Sequence, residues 1–268
     1  MISRHATLSF QAPAQAIVRQ VSTSYNRCIR QDARPINVAR ARVQHAAYVC
    51  ALKEAGVRVR VLPEQPSMPD ACFVEDPALV LGRRALITRS AASSRQPEAK
   101  TLRTALIDWC DLSTMPAPGT LDGGDVLRID NRLFVGRSAR SNDEGIAWLR
   151  FAAAAEGLDV IEVPLSDGLH LKSAATLAAP DLLVYHPDMI DATAFTGVER
   201  LAVEEPHGAN VLALGDTVLV SADAPRTAEH LAARRLRVRV LQVDEFHRGD
   251  GALTCLSLRL PRAGTWVA

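Results

Sequence analysis

Residue types that could carry out nucleophilic chemistry recur at similar intervals along the chain. From Asp122 to His170 is 48 residues, from His170 to Asn210 is 40, and from Asn210 to Cys255 is 45. A step of 47 residues back from Asp122 reaches Glu75. A thiol, an imidazole and carboxylates gathered at one point would form a site in which a cysteine attacks an electrophilic carbon.

Each of these residues has an ordinary structural interpretation when it is taken alone. Cys255 precedes alternating leucines, which is typical of a core cysteine. His170, with a leucine on either side, could be a structural histidine, and Asp122, which a Gly-Gly pair follows, could be a turn residue. Their shared position in a repeat favours the catalytic interpretation.

The chain between these residues alternates short strands with helices. Each unit opens with a polar or acidic residue, continues into an apolar strand, turns sharply and returns in a second apolar strand. The predicted strand pairs are 78–81 with 85–88, 126–129 with 133–135, 174–179 with 182–185 and 211–214 with 218–220, and a last strand, 256–260, follows the turn at 250–255. Helices are predicted at 36–55, 97–111, 142–156 and 227–234, and a further strand at 57–62.

Five units of 40–48 residues indicate radial repetition of one structural element. A closed ring of five small sheets would bring the first strand of every unit next to the axis, where the opening polar residues would meet. The converging set is Glu75, Asp76, Asp122, His170, Asn210 and Cys255. An open mixed α/β sheet with hairpins is the alternative, in which these residues would scatter. The units share the position of their polar residue as well as their length, which favours the ring over the open sheet. We therefore predict a single domain over residues 1–268.

The composition argues against several classes of protein. The 268 residues are 48% hydrophobic and 23% charged, the balance of a folded globular chain, and the net charge of +1 argues against a nucleic-acid partner. No apolar run approaches the roughly 18–20 residues of a membrane-spanning helix, and the first residues lack the apolar stretch of a signal peptide. Five cysteines in irregular positions, without a CxxC pair, predict free thiols in a cytoplasmic protein.

Acidic residues are concentrated near the predicted axis. They are Asp70, Glu75, Asp76, Asp122 and Asp125. Such a concentration is costly unless a cation neutralises it. A guanidinium fits, because its N–H fork matches carboxylate geometry. A divalent metal with His170 as a further ligand is the competing interpretation, but the nearby Cys255 weighs against a hard metal and towards covalent attack.

Four motifs in this order resemble the dimethylarginine dimethylaminohydrolases, a family of the guanidino-group-modifying superfamily. They are Pro-Asp-Ala-Cys-Phe-Val-Glu-Asp at 69–76, Leu-Asp-Gly-Gly-Asp-Val at 121–126, Leu-His-Leu-Lys-Ser at 169–173 and Leu-Thr-Cys-Leu-Ser at 253–257. The resemblance covers about residues 46–260 and implies a five-bladed α/β propeller with pseudo-fivefold ββαβ repeats. Arginine deiminases and amidinotransferases carry an acidic residue two positions after the site histidine, where this chain has Lys172.

The resemblance implies a cysteine-dependent hydrolase of N-omega-methylated arginine that needs no cofactor and no metal. Cys255 would attack the guanidinium carbon, and His170 would protonate the departing amine and then activate water against a covalent thiouronium intermediate. Asp122 would bind a guanidinium nitrogen and orient His170. The products would be citrulline and an alkylamine. An unperturbed thiol is only a few per cent ionised at neutral pH, so we expect binding of the cationic substrate to promote ionisation of Cys255.

The same resemblance implies a set of substrate-binding residues. Asp70 and Asp76 would hold the cationic head with Glu75 alongside, Arg95 and Arg140 would grip the α-carboxylate, and the Gly249 carbonyl with an N-terminal loop would meet the α-amine.

The chain departs from the family pattern at three places. Gln96 stands where many relatives carry a second arginine, which would alter the carboxylate clamp. The segment 21–35, which would form a lid that selects the N-substituent, has no clear match, and the tail 265–268 has no assigned role. Cys28, the arginines near it or Trp266 could lie at the interface of a homodimer.

Two other functions remain open on the sequence. One is a related hydrolase acting on arginine, citrulline or another guanidine or ureido compound. The other is a non-catalytic guanidine-binding protein, which would be expected to have lost Cys255 or His170, and both are present.

Overall fold

A computed structural model describes residues 9–10, 12–261 and 265–266, and most of its strands form five three-stranded sheets. In each sheet the first strand is antiparallel to the second, and the second is parallel to the third. The sheets, in this strand order, are Leu258–Leu260, Gln15–Arg19 and Arg58–Leu62 (blade 1); Ala78–Leu81, Arg84–Ile87 and Asp111–Thr114 (blade 2); Val126–Ile129, Arg132–Arg137 and Asp159–Pro164 (blade 3); Ala175–Ala179, Leu182–Tyr185 and Glu199–Ala202 (blade 4); and Leu212–Leu214, Thr217–Ser221 and Arg237–Leu241 (blade 5). This architecture confirms the predicted five-bladed α/β propeller.

Three of the hairpins have turns with residues that tolerate a left-handed backbone. Gly82, Asp130 and Gly215 have φ of 63°, 54° and 69°, a region that favours glycine and tolerates aspartate. Blade 1 differs from the others, since its first strand comes from the end of the chain and its other two strands from the beginning. This pairing closes the ring.

Helices connect the second and third strands of four blades. They are Val38–Glu54, Gln96–Leu106, Asp143–Ala154 and Pro225–Ala233. The side chains of Asn37 and Asn142 cap two of them by accepting hydrogen bonds from backbone N–H groups of the first turn. The predicted helix at 97–111 is wrong at its end, because the third strand of blade 2 already begins at Asp111. Blade 4 has only the short 3-10 helix Ala192–Ala194 at this place.

Short helical turns interrupt the connections between the strands. They are Tyr25–Arg27, Ser93–Arg95, Gly123–Asp125, Leu171–Ala174, Asp244–His247 and Thr254–Leu256. Several of the predicted site residues lie in or beside these turns, so the turns direct their side chains. Thr265–Trp266 pairs in parallel with Ser9–Phe10, whereas positions 267–268 of the tail lie outside the described residues.

Apolar side chains fill the spaces between neighbouring sheets. Phe134 of blade 3, for example, stacks on Phe195 of blade 4 with ring centroids 4.5 Å apart. In the described part of the chain, no helix has the length and apolar character needed to cross a bilayer. The organisation of residues 1–268 as a single domain stays a prediction.

Candidate active site

A small cavity lies where the opening residues of several blades meet. Its lining includes Cys255, His170, Asp70, Asp76, Arg95, Arg140 and Gly249, together with Ile29, Phe73, Leu169, Asp250 and Gly251. Two residues of the predicted set do not line it. Asp122 contacts the His170 ring directly, and Glu75 faces away from the cavity.

His170 is held between two carboxylates. Its Nε2 lies 3.2 Å from Asp122 Oδ2, and its Nδ1 lies 3.9 Å from Asp76 Oδ1. Burial by itself lowers the pKa of the imidazole, but Asp76, Asp122 and Asp125 together raise that pKa to about 9. His170 is therefore an imidazolium at neutral pH and can act as a general acid.

The Gly-Gly pair after Asp122 makes room for the histidine. A Cβ at Gly124 would lie 2.7 Å from His170 Nδ1, and a Cβ at Gly123 would lie 2.1 Å from the backbone oxygen of Glu75. The N–H of Gly124 also donates to Asp76 Oδ1 at 3.1 Å. Glycine is needed at both positions for this close approach. From the sequence alone, the Gly-Gly pair indicated only a turn.

Asp125 positions the backbone next to His170. Its Oδ1 accepts a hydrogen bond from the N–H of Leu171 at 3.0 Å. Its Oδ2 accepts the hydroxyls of Ser138 and Ser141 at 2.5 and 2.6 Å. Asp125 is buried and fully engaged, so it orients the histidine turn and does not bind substrate.

Cys255 lies in the 3-10 turn Thr254–Leu256 and is partly exposed. Asn210 fixes this turn, because its Oδ1 accepts the N–H of Thr254 and its Nδ2 donates to Thr254 Oγ1 and to the Lys172 carbonyl. Burial, together with the carboxylates of Glu75 and Asp76, raises the pKa of the Cys255 thiol to about 12. The thiol is therefore protonated when the site is empty of a cation.

Arg95 is engaged with neighbouring carboxylates. Its Nη1 donates to Asp76 Oδ2 at 2.8 Å, and its Nη2 donates to Glu98 Oε2 at 2.9 Å. Glu98, which sequence reasoning did not single out, is buried, and burial raises its pKa to about 7 against the opposing effect of Arg95. In this arrangement Arg95 holds the Asp76 carboxylate in place at the cavity wall.

Glu75 is part of a buried ion cluster outside the cavity. Its Oε1 accepts Lys172 Nζ at 2.7 Å and Arg259 Nη2 at 2.6 Å. The expectation that Glu75 lies alongside the substrate head therefore has no support in its contacts. The adjacent Asp76 faces the cavity, so the two neighbouring carboxylates serve opposite sides of the same turn.

The segment 21–35, the predicted lid, contributes Ile29 to the cavity lining. The N–H of Ile29 donates to Asp70 Oδ1 at 3.1 Å, and the N–H of Gln31 donates to Asp250 Oδ2 at 2.7 Å. Tyr25 anchors the segment in the core, and a Cβ at Gly249 would lie 2.4 Å from the Tyr25 hydroxyl.

Two polar atoms near the cavity lack a hydrogen-bond partner among the described residues. They are Asp122 Oδ1 and Arg140 Nη1, and the Arg140 atom lies 3.7 Å from Asp122 Oδ2. Gln96, at the family's second arginine position, does not line the cavity and donates from Nε2 to the Ser90 carbonyl at 3.0 Å.

Asp76, Asp122 and His170 form the one group of three potential metal ligands found among the described residues. The two carboxylates, however, face different nitrogens of the imidazole. A single metal ion can bind only one of these nitrogens, and Arg95 already neutralises Asp76. The arrangement suits an imidazolium between two carboxylates better than a metal centre.

Comparison with known proteins identifies relatives of this chain. Residues 12–205 match the family model for eukaryotic N,N dimethylarginine dimethylhydrolase. The chain is 38% identical over 233 residues to an N(G),N(G)-dimethylarginine dimethylaminohydrolase of Streptomyces coelicolor, covering 84% of this chain and 90% of the relative. It is 33% identical to the enzyme of the same name from Pseudomonas aeruginosa, covering 82% and 89%.

Solved structures show the same fold. The Pseudomonas aeruginosa enzyme, a mutant complexed with citrulline, superimposes with a TM-score of 0.89 at 29% identity, over 92% of this chain and 99% of that one. The N-terminal domain of ArgZ, a cyanobacterial arginine dihydrolase, shares the fold with a TM-score of 0.84 at 20% identity, over 92% and 98%. The motifs, the cavity and the extent of these matches lead to one assignment: the chain belongs to the dimethylarginine dimethylaminohydrolase family.

Proposed function

We propose that this protein hydrolyses N-omega-methylated arginine, namely asymmetric dimethylarginine and monomethylarginine, to citrulline and di- or monomethylamine. One observation carries the proposal: a thiol, an imidazolium and cation-binding carboxylates line or adjoin one small cavity. The class of reaction, hydrolysis of a C–N bond in a linear amidine, follows from the family.

The guanidinium head would be held by carboxylates. Asp76 and Asp70 line the cavity, and Asp122 Oδ1 is buried without a hydrogen-bond partner among the described residues. A buried unpaired carboxylate oxygen is costly, and an N–H of the substrate would satisfy it. Asp70 currently accepts the lid N–H of Ile29, so substrate and lid would meet at this carboxylate.

The amino-acid end of the substrate would face Arg140 and Gly249. Arg140 Nη1 is without a hydrogen-bond partner in the described part of the chain and is available for the α-carboxylate. Arg95 was expected to share this role, but its contacts with Asp76 and Glu98 favour support of the carboxylate that binds the head. The Gly249 carbonyl, at the cavity wall beside the lid, is the proposed acceptor for the α-amine.

The first half of the reaction replaces the alkylamine by sulfur. The cationic head offsets the carboxylates that raise the thiol pKa, so Cys255 loses its proton to solvent and its thiolate attacks the guanidinium carbon. The neutral tetrahedral adduct then collapses as His170 gives its proton to the departing nitrogen. Dimethylamine or methylamine leaves, and a cationic thiouronium joined to Cys255 and a neutral imidazole remain.

The second half adds water to the same carbon. Neutral His170 takes a proton from water as the oxygen bonds to carbon, which restores the imidazolium. The C–S bond then breaks, the thiolate leaves, and the hydroxyl proton is released as the citrulline carbonyl forms. Asp122 stabilises His170 in its cationic form at both ends of the cycle.

The test is citrulline formation from asymmetric dimethylarginine, with monomethylarginine and arginine in parallel and Cys255→Ser as the blank. Turnover of the methylated substrates alone, lost in the variant, is the expected result. Turnover of arginine alone would agree with Cys255 as the nucleophile but would show that the proposed substrate is wrong. Absence of turnover on all three would overturn the proposed substrate class.

A further inference from the structure

A second cavity lies against the strand that follows the Cys255 turn. It is bounded by the first strands of blades 1, 2 and 3, and among the described residues it shares no lining residue with the catalytic cavity. Its lining is Glu75, Ala78, Leu79, Val80, Leu81, Val126, Arg128, Leu133, Lys172, Ser257, Leu258 and Arg259. Its free volume of about 50 Å³ exceeds what one water molecule needs.

The charges at one end of this cavity do not balance. Lys172 Nζ and Arg259 Nη2 both donate to a single oxygen, Oε1 of Glu75, at 2.7 and 2.6 Å. All three side chains are more than nine-tenths buried. Two basic groups thus share one carboxylate away from water, where an uncompensated charge is strongly unfavourable. Burial and the neighbouring Arg259 accordingly lower the pKa of Lys172, against the opposing effect of Glu75.

The remaining donors of these cations have weak or no partners. Arg259 Nη1 reaches the Thr254 carbonyl at 3.3 Å, and Arg259 Nε is buried without a hydrogen-bond partner among the described residues. Lys172 Nζ also donates to the Gly123 carbonyl at 3.2 Å. These carbonyl contacts satisfy hydrogen bonds but bring no negative charge to the cluster.

We propose that this cavity is a binding site for a small monovalent anion of halide size, held by Arg259 and Lys172. One negative charge would neutralise the cluster of Glu75, Lys172 and Arg259. The volume favours a single small ion over an organic anion of the size of gluconate, and the two basic groups on one carboxylate leave only one positive charge to be neutralised. Arg128, which donates from Nε to the Asp130 carbonyl, adds positive potential to the wall.

The site is connected to the catalytic turn through the backbone. The N–H of Glu75 donates to the Cys255 carbonyl at 3.3 Å, and Arg259 contacts the carbonyl of the residue before Cys255. An anion that fixes Arg259 and Glu75 would therefore also fix the turn that presents the thiol. The anion site itself does not depend on which guanidine the enzyme hydrolyses.

Bromide is the direct probe, because its anomalous scattering identifies it in a crystal. Crystals of the wild-type protein grown in sodium bromide should show an anomalous peak in contact with Arg259 and Lys172. Absence of such a peak at saturating bromide, with water in its place, would overturn the proposal. This measurement needs no variant and no enzymatic activity.

Thermal unfolding provides the solution test. At constant ionic strength, exchange of gluconate for chloride should raise the Tm of the wild type, since a ligand that binds only the folded state stabilises it. Arg259→Met should abolish this chloride-specific rise. Arg237→Gln, which removes an exposed arginine of the outermost strand of blade 5, is the matched control and should keep it. Equal rises in all three proteins would mean general salt effects and would overturn the site.

Arg259→Met could fail to fold, so a second variant decides the question in that event. Glu75→Gln is nearly isosteric and removes the carboxylate that competes with the anion for both cations. It should tighten chloride binding on the order of tenfold or more, seen as a larger chloride-dependent rise in Tm. An unchanged or smaller rise would contradict the proposal.

Discussion

Asp122 and His170 form a buried contact in which a carboxylate oxygen lies 3.2 Å from the imidazole Nε2. The two residues open neighbouring blades, 48 positions apart, and the Gly-Gly pair after Asp122 lets the ring approach. With Asp76 on the other ring nitrogen, this contact keeps His170 protonated beyond neutral pH. Stability and catalysis should therefore both depend on the charge of Asp122.

The free energy of unfolding should fall as the pH rises from about 6.5 to about 9. The pKa of His170 is raised to about 9 in the folded protein, so its stabilisation is fully present below the ordinary pKa of 6.5 and is lost as the pH passes 9. The loss should approach about 3 kcal/mol, the equivalent of this shift. Urea unfolding at closely spaced pH values measures it.

Asp122→Asn is the comparison for this pH dependence. It removes one of the carboxylates that raise the pKa of His170, so the fall in unfolding free energy should become smaller. Burial lowers the pKa values of His45 and His247 to about 4. These two residues therefore change the unfolding free energy only below about pH 6.5 and do not affect the comparison between pH 6.5 and 9. Identical slopes in the two proteins would refute the assignment to His170.

Alkylation of Cys255 by iodoacetamide should keep accelerating with pH and show no plateau near neutrality. Burial and two carboxylates raise the thiol pKa to about 12, and only the thiolate reacts. Mass spectrometry of the Cys255 peptide measures the rate from about pH 6 to about pH 9, with the exposed Cys50 as an internal reference for labelling. A plateau near neutral pH would show a thiol already activated without substrate.

The repeat was predictable from the sequence because its hairpins are local. In four blades the first two strands are joined by two-residue turns and must pair with each other, and polar residues at matching positions of all five units must meet if the ring closes. Cys255 and His170 were therefore found from spacing alone, and both line the cavity.

The ion clusters around the cavity were not predictable in the same way. Glu75 and Asp76 are adjacent, and only the three-dimensional course of their turn sends one to Lys172 and Arg259 and the other to the cavity. Glu98 lies in a helix, and its role could not be predicted from the sequence. Its partner Arg95 belongs to a turn, and the sequence pattern does not specify where the side chains of that turn point.

Gly124→Ala should abolish most of the activity while the protein remains folded. The new Cβ would lie 2.7 Å from His170 Nδ1 and 2.9 Å from Asp76 Oδ1, so the imidazole must move. A displacement of about 1 Å in a catalytic group can reduce the rate on the order of 100-fold. Steady-state kinetics with a methylated arginine and a urea midpoint from the same preparation measure the two effects.

Gly123→Ala is the matched comparison, since its Cβ would lie 2.1 Å from the backbone oxygen of Glu75. A backbone atom cannot rotate away, so this variant should lose much more stability than Gly124→Ala. Full activity of Gly124→Ala would mean that the space beside His170 is not needed for catalysis.

Glu98→Gln should weaken substrate binding without weakening the fold at alkaline pH. Without the Glu98 carboxylate, the guanidinium of Arg95 would direct more of its N–H donors to Asp76. Arg95 would then compete with the guanidinium head of the substrate for the Asp76 carboxylate. A rise in KM on the order of tenfold is expected, the effect of about one charge-assisted hydrogen bond.

The pH dependence of stability tests the environment of Glu98 separately. Its pKa is raised from 4.5 to about 7 by burial, so the wild type loses stability relative to Glu98→Gln as the pH rises from about 4.5 to about 7, by up to about 3 kcal/mol. Glu199→Gln, at an exposed ion pair with Arg234, is the surface control in the same urea titrations. If Glu98→Gln instead became progressively less stable than the wild type as the pH rose to about 4.5, with no reversal up to about pH 7, the pairing of Glu98 with Arg95 would outweigh the cost of burial, and the ionised carboxylate would stabilise the fold.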